Sequence, residues 1–416
     1  MKGAPISRSA QAAKRADPAP STSVDGAEEI GTPNLQETIM PLRVGLIGCG
    51  NISDIYLLNA ALFRDFDFVA CADLREEAAK KQAQKYNLQR RSIEALLASD
   101  DVDIVLNLTI PEAHAEVSRA AIAAGKHVYG EKPLATRLTD GIALMEAAKA
   151  KGLRVGCAPD TVLGAAIQQA RLRIDAGEIG RPLIGTAAVL GHGMEHWHPN
   201  PEFFFKPGAG PVFDMGPYYL STLVNLLGPV ASVMALSQSG FEERVVTTES
   251  SPFKGQSIAV ETPTSIQALL AFKSGAQITF LASWDVWAHG QLPIELHGTE
   301  ASLRVPDPNW FGGEVALARP REAWENHASS GDRFGQPNWP AEHPVNANYR
   351  GLGLADMARG IVDGRPHRAS GEIGLHVLAV MEGILTAAEQ KRPVLIEQGC
   401  ERPAPLGDEE ARGLLA

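Results

Sequence analysis

The sequence predicts an α/β protein in two parts: a helix-covered parallel sheet over residues 40–160, then a domain over 161–398 built on antiparallel strands. Three observations carry this. Apolar strands alternate with helical stretches from Leu42 onward. A glycine-rich turn separates the first strand from the first helix. After about residue 180 the texture changes to strands joined by tight turns.

In chain order, residues 1–39 are rich in Ala, Ser, Pro and Thr without sustained periodicity. Such a segment cannot offset its ordering entropy and is expected to be a disordered arm or an extension. It has no apolar stretch of the kind a secretory signal needs. Met40 then stands directly before the strand LRVGLI (42–47). Further strands are expected at FVACA (68–72), DIVLNLT (103–109), HVYGE (127–131) and LRVGC (153–157). Between them lie helical stretches such as REEAAKKQAQKY and EAHAEVSRAAIAAG, the latter closed by Gly125 as a C-terminal cap. That alternation implies a parallel sheet covered on both faces. TSIQALLAFK (264–273), an SGA turn, QITFLASWDV (277–286), LPIELHG, a TEA turn and SLRVP fit an antiparallel sheet instead. Residues 315–350, rich in Trp, Pro, Asn and His, are expected to form a long irregular excursion. Helices follow at about 351–364 and 371–391, which can pack back on the first domain, and residues 399–416 read as a loose tail.

A chain of 416 residues suits two domains, and 44% apolar with 21% charged residues is an ordinary globular balance. The net charge of −11 repels phosphate backbones, which argues against nucleic acid or an anionic membrane as partner. No run in the sequence approaches the roughly 20 apolar residues of a spanning helix. Cys49, Cys71, Cys157 and Cys400 are scattered and read as reduced thiols of a cytoplasmic protein.

The turn is Gly48-Cys49-Gly50-Asn51-Ile52-Ser53. Its glycines allow a tight bend and close approach of a pyrophosphate, which then meets helix-opening amides; this is a dinucleotide-binding Rossmann signature. Ser53 replaces the third glycine but remains small. Asp73 ends the second strand, where a carboxylate accepts from the ribose hydroxyls of NAD and repels a 2′-phosphate, or alternatively caps the next helix. Arg75 blunts that preference, so NAD is expected and NADP is admitted.

At AGKHVYGEKPLA (124–135) the chain resembles the Gfo/Idh/MocA family, named for glucose–fructose oxidoreductase and inositol dehydrogenase. The resemblance runs from Met40 to about Arg392. Besides the glycine turn it includes Thr109-Ile110-Pro111-Glu112-Ala113-His114, Glu131-Lys132-Pro133 and GAGPVFDMGPYY (208–219). It implies a Rossmann domain followed by an α/β domain with an open, mostly antiparallel sheet, whose exposed face often forms dimers or tetramers. It also implies a cofactor site drawing on Thr109, Pro111, His114, Glu131 and Lys132. Lys132 and Asp214 would face the nicotinamide, with an acid/base residue two positions after Gly216. Many relatives carry His there; this chain has Tyr218, with Tyr219 a rival if the register differs.

The chemistry asks for these groups. Oxidising a hydroxyl sends a hydride to the nicotinamide and requires a base for the proton. A phenol titrates near 10, so it needs a neighbouring cation such as Lys132 to act at neutral pH. Lys132 would also stabilise alkoxide charge, and Asp214 would hold a second substrate hydroxyl or keep Lys132 charged. Whether Lys132 or Tyr218 takes the proton is not readable from the sequence.

His192-Gly193-Met194-Glu195-His196-Trp197-His198 is expected to line the substrate pocket, Trp197 stacking on a sugar and His198 bonding a hydroxyl. Imidazoles beside a carboxylate suit zinc, but no second cluster stands at ligand spacing and no metal is expected. Asp160 binds a substrate hydroxyl or caps the helix after it. The expected activity is hydride transfer between NAD and a hydroxyl or carbonyl of a sugar, cyclitol or related polyol. Glycoside cleavage with a tightly held, self-recycling NAD, or non-catalytic NAD-dependent regulation, are the other classes the resemblance leaves open.

Overall fold

The computed structural model describes residues 40–416; the expected arm over 1–39 lies outside the described residues. The first sheet is wholly parallel, with strands β1 (Leu42–Ile47), β2 (Phe66–Ala72), β3 (Gln89–Arg90), β4 (Ile104–Asn107), β5 (His127–Gly130) and β6 (Val155–Cys157) in the order β3-β2-β1-β4-β5-β6. Val44, Leu46, Ile104 and Leu106 are fully buried, as strands covered on both faces must be. The order reverses between β1 and β4, which opens a crevice at their carboxyl ends. The glycine turn after β1, Thr109 after β4, Glu131-Lys132 after β5 and Asp160 after β6 all leave the sheet at that edge.

The second part contains β7 (Pro182–Leu190), β8 (Val230–Gln238), the hairpin β9 (Glu243–Val245) and β10 (Ser257–Ala259), β11 (Ser265–Phe272), β12 (Gln277–Ser283), β13 (Ile294–Gly298), β14 (Ser302–Val305), β15 (Glu314–Ala318), β16 (Glu325–Ala328) and β17 (Val394–Leu395). All but the hairpin make a nine-stranded sheet ordered β16-β15-β14-β13-β7-β12-β11-β8-β17. It is antiparallel except at β7–β12, where Gln277 pairs Ile184 and Ser283 pairs Leu190 in the parallel sense. One face buries Ile266, Ala268, Leu270, Ile278 and Phe280 against helices Gly216–Leu227 and Gly371–Gln390. The other leaves Met234, Leu236, Leu269 and Ile184 exposed.

Three expectations change. The excursion at 315–350 holds β15 and β16; β16 is a polar edge strand whose sequence lacks the alternation that marks a half-buried one. Residues 399–416 are docked: Leu406, Ala411 and Leu414 are buried with Phe63, and Ala416 N–H donates to the Leu62 carbonyl at 2.9 Å. Their apolar side chains, spaced among charged ones, supply the burial that a loose tail lacks. Helix Gly371–Gln390 is long and apolar enough to cross a bilayer by composition, yet most of its apolar stretch is buried in the fold, where it packs on β8.

Candidate active site

Lys132 follows β5, and Asp214 ends the short helix Gly210–Asp214. Although 82 residues apart, they meet: Lys132 Nζ donates to Asp214 Oδ1 at 2.9 Å and to the Asp214 carbonyl at 2.6 Å. Helix Gly216–Leu227 starts two residues later and turns the Tyr218 ring toward the same ammonium, 5.1 Å from ring centroid to Nζ. Tyr219, one helical step on, points into the core beside Phe280. Burial opposes charge on Lys132, but the adjacent Asp214 and the Tyr218 oxygen outweigh it and hold the amine above its ordinary range. Glu131 fixes the segment, accepting from Tyr56 Oη at 2.8 Å and from Lys132 N–H at 3.0 Å.

On the cofactor side, Gly48 has φ +101° and its position has no room for a Cβ, whereas a Cβ on Gly50 would meet nothing within 4 Å. The amides of Gly50, Asn51 and Ile52 take no acceptor among the described residues. Asp73 Oδ2 accepts from Cys49 N–H and Oδ1 from Arg75 N–H, both at 2.7 Å, so its carboxylate is aimed across the turn with lone pairs to spare. An open space over free amides, bounded by an oriented carboxylate, fits a pyrophosphate with its adjoining ribose. Thr109 Oγ1 is tied to Asn107 Oδ1 at 2.7 Å, and Pro111 opens a short 3-10 turn beside it.

Two expected ligands are placed in the scaffold. His114 is buried, its ring nitrogens facing the carbonyls of Pro133 (2.7 Å) and Thr109 (3.0 Å); burial lowers its pKa, and the single N–H of the neutral ring donates to one of them. Asp160 is buried too, and Oδ2 accepts from the amides of Gly351 (2.9 Å) and Gly353 (3.0 Å); it caps helix Leu352–Asp363, not the one that follows it. Burial pushes its carboxyl up to about 6, opposed by those amides and by Arg350. An unfolded aspartate titrates near 3.9, so the folded state binds this proton more tightly. Its contribution to stability is full below about pH 4 and is lost as pH rises through about 6, a difference of about 2–3 kcal/mol. Asp160→Asn is therefore expected to flatten the pH dependence of denaturant stability across that window; a slope equal to that of the native chain would refute this.

The His192–His198 segment divides. His198 accepts from Asn200 N–H at 3.1 Å, lies edge-on to Trp197, Phe203 and Phe204, and feels the charge of Asp214. His192 instead stacks on Trp287 at 3.3 Å, and its carbonyl accepts from Arg244. Glu195 is committed to the same buried Arg244 at 2.7 Å, and Asp285 is its second carboxylate. That network anchors the segment. Sequence reading missed Arg350, whose Nη2 lies 3.4 Å from Tyr218 Oη.

The family model of NAD-binding Rossmann-fold oxidoreductases matches residues 42–158, and that of the GFO/IDH/MocA C-terminal domain matches 167–304. The chain belongs to the Gfo/Idh/MocA family. Like its kin, this Gfo/Idh/MocA oxidoreductase binds NAD. It is 26% identical over 366 residues to 1,5-anhydro-D-fructose reductase of Ensifer adhaerens, spanning 86% of this chain and 99% of that one. It is 27% identical over 289 residues to levoglucosan dehydrogenase of Pseudarthrobacter phenanthrenivorans, spanning 63% and 73%. An NAD-binding oxidoreductase from Klebsiella pneumoniae superposes with a TM-score of 0.72 at 25% identity, covering 86% of this chain and 99% of that one.

Proposed function

We propose that the protein is a dehydrogenase or reductase that moves a hydride between NAD and a CH–OH carbon of a sugar, cyclitol or related polyol. The observation that carries this reading is the Lys132–Asp214 pair set against the Tyr218 ring, at the strand edge where the glycine turn opens. The names of the Ensifer and Pseudarthrobacter relatives support the substrate class.

When bound, NAD supplies the hydride acceptor or donor. The chain supplies the rest. Lys132, held as an ammonium by Asp214, cannot accept a proton; it donates to the substrate oxygen and stabilises developing alkoxide charge. Tyr218 Oη then takes the hydroxyl proton in the oxidising direction and returns it in the reducing one. Asp214 keeps Lys132 charged, while His198 and Trp197 receive the remaining hydroxyls and a C–H face.

The test follows nicotinamide absorbance while the full chain meets a panel of sugars, cyclitols and glycosides, with NAD and NADP in separate runs. Reduction with a polyol is expected. A flat trace, or sugar release from a glycoside without net NADH, would overturn the reading.

Asp73 sets cofactor choice in the same reading. Asp73→Ser removes the carboxylate that repels a 2′-phosphate and frees Arg75, whose Nε lies 3.5 Å from it. The NADP-to-NAD ratio of kcat/KM is expected to rise by about tenfold or more, equivalent to about 1.4 kcal/mol; an unchanged ratio would remove Asp73 from this role.

The chain is further proposed to work as a homodimer or homotetramer through the exposed face of its large sheet. Met234, Leu236 and Leu269 stand side by side there, and isolated water-facing apolar clusters of this kind mark interfaces. A Leu236→Asp, Leu269→Asp double variant is expected to sediment as a monomer; a sedimentation coefficient equal to that of the parent would count against that face. Buried free thiols at Cys49, Cys71 and Cys157 support a reducing, cytoplasmic location.

A further inference from the structure

Arg350 carries a buried positive charge that, among the described residues, has no carboxylate within ion-pair distance. A guanidinium placed so needs other compensation. Its Nη1 donates to Asn348 Oδ1 at 2.9 Å, and Nη2 donates to Asn309 Oδ1 at 2.9 Å and to the Asn309 carbonyl at 3.4 Å. The remaining partner is Tyr218 Oη, 3.4 Å from Nη2, with the guanidinium carbon 6.0 Å from the ring centroid. All fixed partners are thus neutral, and one of them gains negative charge on losing its proton.

The position is clamped from several directions. Asn59 Nδ2 donates to the carbonyls of Asn348 and Arg350, both at 3.0 Å. Asp160 holds the amides of Gly351 and Gly353 on the other side of the residue. Asp307 Oδ1 accepts from Asn309 N–H at 3.0 Å and so presents Asn309 to the guanidinium. Elements distant in sequence thereby converge on one side chain that touches the phenol.

We propose that Arg350 is a positioning residue for proton transfer, orienting the Tyr218 hydroxyl and, together with Lys132, stabilising negative charge on its oxygen. This rests on the dehydrogenase reading, in which Tyr218 moves the proton. The charged groups around the phenol are Lys132, with Asp214 behind it, and Arg350, with Glu131, Asp160 and Asp307 acting on that pair. Burial opposes the charge on Arg350, and the Tyr218 oxygen together with Glu131 and Asp160 restores it, so the guanidinium stays positive throughout.

A purely structural clamp would leave the ionisation of Tyr218 untouched, and this separates the alternatives without any substrate. Near-ultraviolet phenolate absorbance is titrated in the full chain, the Tyr218 transition being identified by its loss in Tyr218→Phe. In Arg350→Met that transition is expected to move to higher pH by about one to three units, the effect of one nearby charge. Arg350→Lys should restore part of the shift, and Arg350→Gln, which keeps hydrogen bonding without charge, should not. With an active substrate, kcat falls about a hundredfold in Arg350→Met while NAD affinity holds. A transition coincident with the native one in Arg350→Met, or, if that variant does not fold, in Arg350→Gln, overturns the proposal. Failure of the substrate panel alone overturns the dehydrogenase reading and leaves this titration to be read independently.

Discussion

Lys132→Met is expected to lower kcat by about 10³-fold while NAD binding, followed by fluorescence titration, stays near that of the parent. Methionine keeps the unbranched stem and its apolar contacts but removes the donor and the charge. Lys132 Nζ makes two hydrogen bonds to Asp214 and stands over the Tyr218 ring, so it is the group through which the carboxylate and the phenol communicate. In the proposed reading the pyrophosphate and ribose are held by the glycine turn and Asp73, which the substitution does not touch. The loss therefore falls on kcat. Full turnover in this variant would remove the catalytic assignment, and a parallel loss of NAD affinity would make Lys132 a binding residue instead.

Much of that cluster could be read from the sequence because its members sit in short motifs that leave consecutive strand ends. Gly48, Gly50 and Asp73 belong to one strand–turn–helix–strand unit, and Lys132 follows β5 directly. Local spacing fixes what such residues can reach. The direction of Tyr218 against Tyr219 depends instead on which face of helix Gly216–Leu227 meets the large sheet, and neither residue type nor spacing sets that.

Arg350 and the true role of Asp160 were not legible for a related reason. The contact from Arg350 to Tyr218 spans 132 residues, and that from Asp160 to Gly351 spans 191. Each depends on helix Leu352–Asp363 folding back onto the first sheet, where Leu352, Leu354 and Met357 join the core of β1 and β4. That the C-terminal helices can pack back on the first domain is legible in the sequence, but an apolar helix does not announce which residues its N-terminal end meets there. The signal that could have flagged Arg350 is an arginine just before a buried helix, in a stretch otherwise polar and aromatic. His114 differs: a lone histidine inside a motif reads as a ligand, while in the fold it is buried with its ring nitrogens facing the Pro133 and Thr109 carbonyls.

The two glycines of the turn give a paired prediction that separates folding from binding. Gly48 has φ +101°, and a Cβ there would sit 2.5 Å from the carbonyl carbon and oxygen of Leu108, which are backbone atoms and cannot swing aside. Left-handed strain and overpacking each cost about 1–3 kcal/mol, so Gly48→Ala is expected to lower the melting temperature of the cofactor-free protein and its NAD affinity together. Gly50 differs in having no heavy atom within 4 Å of its added Cβ. Gly50→Ala should therefore melt with the parent, yet place a methyl group in the space that a pyrophosphate would enter. Its NAD dissociation constant is expected to rise by about tenfold or more, equivalent to about 1.4 kcal/mol. If both variants melt like the parent, the left-handed geometry at Gly48 is not required for the fold. If Gly50→Ala binds NAD as tightly as the parent, the open space over the turn is not where the pyrophosphate lies.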